Sequence, residues 1–353
     1  MIDDLLSAIT RAKDQILQRT NASDMSGDWP AEDLQSMADA GVLKMALPPA
    51  FGGLDLSALD QHLVYEEVAA SSLSLALILS QRDAAIGLIE ATDASCRDEL
   101  LSKISEGALS SVGIAQLTTS RQGGPPALAA EKTVDGFKIN GLIPWCTGAA
   151  KAEFIVAGAA NSDGRHVLFE LPTNSPGVAI DPPMPLVALR QTWTTALHCE
   201  NVDIPKSAVL RGPAEKVLSR SNHVALGQAF LAMGLCRGAL NLILTLANQT
   251  GSAMALEAMN RFEKQIASLR AKIFDLSKVG RESEATQEAA SIRGECNDLA
   301  LRVTHAAVAL YKGTGLLAGH PAQRLAREAM FLLVWSCPNP VIDCTIDLLS
   351  SDC

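Results

Sequence analysis

The hydrophobic period of this chain changes twice, and few architectures accommodate that. Residues 2–19 carry apolar side chains at Ile2, Leu5, Leu6, Ile9, Ile16 and Leu17, the spacing of one helix face. A second helix is predicted over 30–40, opened by Pro30 and closed by Gly41. A third spans Leu59–Leu79, apolar enough in its second half to lie in a core, and another covers about 97–106. After Gly107 the runs shorten to strand length. They are 109–118, a hairpin over 128–141, then 154–159, 165–171, 177–180 and 194–202, separated by Gly, Pro, Asn and Asp. That spacing predicts a small antiparallel barrel or sandwich ending near Pro205. From Lys216 the helical period returns over about 217–249, 254–279, 283–317 and 321–336. Pro338 and Pro340 are expected to stop the last helix, leaving a short apolar tail over 341–350. Long helices joined by short turns predict an up-and-down bundle. The expected fold is mainly α with a small β domain: an N-terminal helical domain (1–110), a central β-barrel or sandwich (111–212) and a C-terminal four-helix bundle (213–353).

Length supports this division, since 353 residues exceed one ordinary core. The net charge of −10 is spread along the chain with no Lys/Arg run, which argues against nucleic acid as a partner. The eight cysteines form no C-x-x-C pair, so reduced thiols in a cytoplasmic protein are expected. No H-x-x-x-H or paired metal carboxylates occur, and no metal site is expected. Asp3 and Asp4 stand where a signal peptide is basic, so none is expected. Val224–Ala247 is the most apolar window, but Gln228, Arg237 and Asn241 interrupt it; the expectation is a core helix, with no membrane span.

The stretch with most chemistry is Ile139–Gly148. A strand-like run meets Gly141, and Trp145, Cys146, Thr147 and Gly148 follow. A turn glycine lets the backbone approach closely. An indole beside such a turn lies well against a planar ligand, and a threonine adds a short donor. The same residues equally suit a plain hairpin with a buried tryptophan. Glu66 and Glu67, adjacent on a helix, face different directions, one expected at a pocket and the other in solvent.

Helices, then a small β domain, then a four-helix bundle is the order of the acyl-CoA dehydrogenase family, and the residues from about 28 to 336 resemble it. Gly41-Val42-Leu43, Pro48 to Leu54 and Tyr65-Glu66-Glu67-Val68-Ala69 resemble its N-terminal run. Ala115-Gln116-Leu117-Thr118 resembles the start of its flavin-contacting segment, and Asn140-Gly141 with Trp145-Cys146-Thr147-Gly148 resembles its N-G…W-I-T/S-N-G motif. Arg190 and Glu200 to Pro205 resemble the close of its β domain. Gly313-Thr314-Gly315, His320-Pro321, Arg324 and Arg327-Glu328-Ala329 resemble the bundle's G-x-G…P…R…R-D-A. The resemblance implies FAD, contacted by Leu117, Thr118, Trp145, Cys146 and Thr147, with Lys312, Gly313 and Gly315 in the bundle's glycine turn. It also implies a homodimer or homotetramer. The implied activity is α,β-desaturation of an acyl thioester by proton abstraction and hydride transfer to flavin N5, with an electron-transfer flavoprotein as a possible acceptor.

The chain departs from that pattern in three places. Thr119-Ser120-Arg121-Gln122-Gly123-Gly124 replaces the family's Glu-Pro and Gly-Ser-Asp, which touch flavin and CoA ester. Thr250 and Ala253 stand at the family's Arg-x-x-Phe-Gly, Ala309 at its Gln and Lys312 at its first Gly. Lys312 reads either as a cation for a pyrophosphate or as a surface lysine. Ser336 stands at the usual catalytic Glu, and a serine hydroxyl is too weak a base without a helper. His223 falls one residue from the alternative Glu position and reads as a base or as an ordinary hydrogen-bonded residue. Two alternatives to desaturation follow. One is a flavin-dependent monooxygenase on the same fold, which uses reduced flavin and oxygen and needs no Glu. The other is a non-catalytic binding or assembly protein.

Overall fold

The computed structural model describes residues 2–119, 125–215, 217–218, 226–279 and 283–351. Five helices lead: α1 (Ile2–Ser23), α2 (Ala31–Asp39), α3 (Ala58–Ala69), α4 (Leu73–Glu90) and α5 (Arg97–Ser105). The middle of the chain holds β1 (Ser110–Gly113), the short α6 (Gln116–Thr119), β2 (Leu128–Lys132), β3 (Gly136–Cys146), β4 (Phe154–Ala160), β5 (His166–Pro172), β6 (Val178–Ile180), β7 (Thr195–Pro205) and β8 (Val209–Ala214). The chain closes with α7 (Gly227–Thr250), α8 (Ala253–Val279), α9 (Ser283–Tyr311), α10 (Pro321–Phe331) and α11 (Asn339–Ser350).

Several boundaries differ from the pattern-based expectation, each for a local reason. The helix expected over Leu59–Leu79 is two helices, because extended backbone at Ser72 lets its hydroxyl accept from the Leu75 amide at 3.2 Å and cap α4. The strand expected over 109–118 stops at Gly113 and gives way to α6. The last long helix ends at Phe331, and Pro338 and Pro340 open α11 instead of stopping α10. Proline lacks an N–H that the first helical turn does not use, so it starts helices as readily as it ends them.

The strands join in one sheet in the order β6-β7-β3-β2-β4-β5-β8, with β1 beside β4. The sheet is mixed where an antiparallel one was expected, since β1 and β2 run parallel to β4. The hairpin over 128–141 is present, with Ala129 opposite Asn140. β8 lies beyond the expected end at Pro205. Along β4 the side chains alternate. Ile155, Ala157 and Ala159 share one core with Phe169 of β5 and Leu197 of β7, so the sheet curls around its own interior. Phe154 and Val156 point the other way, onto Ala85 and Ile86 of α4 and Leu101 of α5.

The N-terminal and C-terminal helices share one hydrophobic core, reaching from Ile9 on α1 through Phe230 and Met233 on α7 to Leu325 on α10. α7 is the one described helix long and apolar enough to cross a membrane, and in this fold its Phe230, Met233, Leu235 and Ile243 are core residues. It meets α3 at backbone distance. A Cβ on Gly234 would lie 2.4 Å from the Glu66 carbonyl oxygen, and one on Gly238 would lie 2.7 Å from that of Ala70. The contact brings Arg237 to Glu66 at 3.2 Å and to Glu67 at 2.8 Å, while Arg270 of α8 reaches Glu66 at 2.9 Å. Neither carboxylate therefore ends a pocket or stands in solvent; both tie α3 to the C-terminal helices.

Gly234→Ala is expected to lower stability by about 1–3 kcal/mol through overpacking, even though alanine is the better helix former by about 1 kcal/mol. A urea titration measures this, and an unchanged midpoint would mean the two helices do not touch there.

Candidate active site

A cavity of about 1090 Å³ lies where the N-terminal helices, the sheet and the C-terminal helices meet. α3 contributes His62 and Tyr65, and the end of β3 contributes Trp145 and Thr147. The loop before β7 adds Val187, Thr192 and Thr194; α7 adds Gln228 and Leu231; α10 and the turn after it add Arg327, Met330, Trp335 and Ser336.

Strand alternation sorts the motif residues. Cys146 points into the sheet's interior at 1% exposure, and burial pushes its thiol up to about 12. Trp145, on the opposite face, is 52% exposed and lines the cavity. Beside it the Thr147 and Thr194 hydroxyls are 3.2 Å apart, and Thr194 is 2.8 Å from Thr192. Thr192 in turn donates to the Leu189 carbonyl at 2.7 Å.

The loop carrying these threonines is held in a rare conformation. Leu189 and Trp193 have φ of +59° and +45°, left-handed values that side chains disfavour. Arg190 donates to the carbonyls of Leu186 and Met25 at 2.8 and 2.9 Å, and the Trp193 indole donates to that of Gly27 at 2.8 Å. The stretch after α1 thus fixes one wall of the cavity. Arg327 completes it, bonding the Asp24 carboxylate and the Val187 carbonyl.

That pairing leaves no open charge among the described lining residues. Arg327 is the only Lys or Arg among the described lining residues, and none of them is Asp or Glu. Tyr65 is committed: its hydroxyl donates to Asp83 at 2.7 Å, and Arg82 pairs with Asp83 at 2.6 Å. Burial, and then the Asp83 charge, hold the phenol well above its ordinary range. His62 stacks on Phe230 with ring centroids 5.0 Å apart, and burial lowers its pKa to about 4. Its imidazole is therefore neutral across the physiological range.

Ser336 lines the cavity, on the turn after α10, at φ +50°. Its carbonyl accepts from the buried Arg293 guanidinium at 3.1 Å, which pins the turn. Other expected site residues lie elsewhere. Leu117 is outside the lining set and packs over Gly158 on the sheet. The Thr118 side chain and all of His223 lie outside the described residues. Lys312 and Gly313 are exposed and Gly315 is buried, in the 3-10 turn Lys312–Leu316, and none of them lines the cavity. Lys312 nonetheless has φ +53°, so this turn has glycine-like backbone at the position where the resembled family has glycine. Sequence reasoning missed His62, Gln228, Thr192, Thr194 and Arg327, which no local motif connects. No group of three or more His, Cys, Asp or Glu among the described residues suits a metal ion.

Comparison with known proteins bears on the fold. The profile of the acyl-CoA dehydrogenase N-terminal domain matches residues 6–108. The probable acyl-CoA dehydrogenase YngJ of Bacillus subtilis is 23% identical, over 91% of this chain and 90% of its own length. The structure of butyryl-CoA dehydrogenase from Megasphaera elsdenii superposes with a TM-score of 0.83 at 21% identity, covering 99% of this chain and 98% of that one. Dibenzothiophene monooxygenase TdsC from Paenibacillus sp. A11-2 superposes with a TM-score of 0.79 at 16% identity, covering 98% and 95%. At these identities the superpositions establish the fold.

The neutral His62 has a measurable consequence. Its pKa is about 4 in the folded chain against 6.5 ordinarily. Between those values the unfolded chain binds the proton and the folded chain does not, so His62 erodes stability as pH falls from 6.5 toward 4. His62→Phe is expected to remove that erosion, gaining roughly 2 kcal/mol relative to wild type on going from about pH 7 to about pH 5. Urea midpoints of the two proteins at both pH values measure this; parallel pH profiles would contradict a buried neutral ring.

Proposed function

The chain belongs to the acyl-CoA dehydrogenase family, and from that premise we propose that it is a flavin-dependent oxidoreductase that binds FAD and acts on a neutral, largely apolar small molecule. The observation that carries this reading is the half-exposed Trp145 indole on the cavity wall, with the Thr147 and Thr194 hydroxyls beside it. A planar heteroaromatic ring gains stacking area on an indole and hydrogen bonds from adjacent hydroxyls. The redox chemistry itself is the flavin's.

The residues fit the ring better than the phosphates. Among the described lining residues Arg327 is the one guanidinium, and Asp24 already neutralises it. Exposed Lys312 on its left-handed turn is then the candidate partner for a pyrophosphate, with Gly313 and Gly315 beside it, reached from a second subunit of a homodimer or homotetramer. An apolar stripe of Ile342, Ile346 and Leu349 on α11 is exposed and suits such self-association. The seven described cysteines are free thiols, which fits a cytoplasmic setting.

The reaction class is inferred from the absence of a carboxylate among the described lining residues. Removing a proton α to a thioester needs a positioned base of suitable pKa. Ser336 is a hydroxyl, and His62 holds a proton too weakly to serve well. The cavity therefore favours flavin-dependent monooxygenation of an apolar substrate, the chemistry named for the TdsC enzyme that shares this fold. Desaturation of an acyl thioester, with an electron-transfer flavoprotein as acceptor, is the second reading. It is favoured by one observation: Ser336, which stands at the resembled family's catalytic position, lines the cavity.

Titrating the purified protein with FAD is expected to yield a bound-flavin absorption spectrum, and Trp145→Ala to weaken binding about tenfold, or roughly 1.4 kcal/mol. No flavin uptake would overturn the reading in favour of a non-catalytic binding protein. With flavin bound, wild type is expected to resist anaerobic bleaching by acyl-CoAs, and Ser336→Glu to bleach. Bleaching of wild type would instead establish desaturation.

A further inference from the structure

Away from Trp145 the cavity has a second polar corner, where α3 meets the start of α7. The His62 Nε2 lies 3.2 Å from where a Cβ on Gly227 would sit, and Gln228 is the next residue. Among the described residues no hydrogen bond or charge acts on the His62 ring, and burial lowers its pKa. Gln228 lines the cavity, and its buried amide oxygen has no hydrogen-bond partner among the described residues. The surroundings are hydrocarbon, with Leu59, Phe230 and Leu231 close by. Two polar groups desolvated in such a place without partners are destabilising unless something else completes them.

We propose that His62 and Gln228 form a neutral hydrogen-bonding subsite that selects a ligand bearing a hydroxyl group on an otherwise apolar body. A hydroxyl donates its hydrogen to the Gln228 amide oxygen while its own oxygen accepts from the imidazole N–H, so one group satisfies both. A hydrocarbon end, such as that of a fatty acyl chain, leaves both unpaired. A carboxylate brings a charge that no cation among the described lining residues is free to meet, because Arg327 is held by Asp24. The proposal rests on reading this cavity as the substrate site. It gives that site a selectivity for which a simple apolar pocket offers no basis.

The test is calorimetric, using β-naphthol and β-methylnaphthalene, which match in shape and differ in hydroxyl against methyl, with β-naphthoate as the charged control. Wild type is expected to bind β-naphthol about tenfold more tightly than the methyl compound. A purely apolar cavity reverses that order. In His62→Phe and in Gln228→Leu the preference should fall to unity or below while β-methylnaphthalene still binds, which shows that the cavity remains folded. The proposal is overturned if wild type prefers the methyl compound, if the preference survives both substitutions, if β-naphthoate binds most tightly, or if no probe binds. FAD uptake is read by absorbance on the same preparations. Lost flavin with the hydroxyl preference intact sinks the cofactor reading alone, and bound flavin without the preference sinks the subsite alone.

Discussion

The close contact of α3 with α7 is the constraint on which the cavity depends. Gly234 and Gly238 remove the side chains that would hold the two helices apart. Glu66, fully buried, then sits between Arg237 and Arg270. A buried carboxylate with both neighbours in place is satisfied; with one removed it becomes a serious liability. The pairing therefore specifies how the N-terminal helices sit on the C-terminal ones. The same α3 that presents Glu66 to the arginines carries His62 and Tyr65 to the cavity. The same α7 begins with Gly227 and Gln228 at that cavity's edge.

Charge is handled differently inside and outside the cavity. Around it, ionic groups come in sets: Arg82 with Asp83, Arg324 with Glu328, Arg327 with Asp24. Each set fastens an element that forms the wall. Among the described lining residues no carboxylate is present, and the one guanidinium is already neutralised. Burial keeps the remaining imidazole uncharged. Such a space welcomes a neutral apolar molecule and penalises an ion, which must shed its hydration without compensation. Positioning and hydrogen bonding remain for the chain to provide, through hydroxyls, an amide and an imidazole.

Much of this was legible in the sequence where the information was local. Helical and strand periods located nearly every element, and strand alternation at Trp145 and Cys146 decides which of the two meets the cavity. Ser336 was reached through the family resemblance, and it lines the cavity together with Arg327. What escaped was set by packing. The roles of Glu66 and Glu67 depend on arginines from α7 and α8, which no local pattern pairs with α3. His62 lies far from Gly227 and Gln228 in the chain, and it comes beside Gly227 only because α7 can approach α3 without Cβ atoms in the way. Lys312 shows the converse case. Its side chain departs from the resembled pattern while its backbone keeps the left-handed turn, a feature invisible to residue identity.

The account stands or falls on where the cofactor lies. A crystal structure grown with saturating FAD measures that directly. It is expected to show the flavin ring against the Trp145 indole at stacking distance, within hydrogen-bond reach of Thr147 or Thr194, with His62 and Gln228 left open on the far side. A flavin bound elsewhere, or a cavity that holds none at saturation, would contradict it.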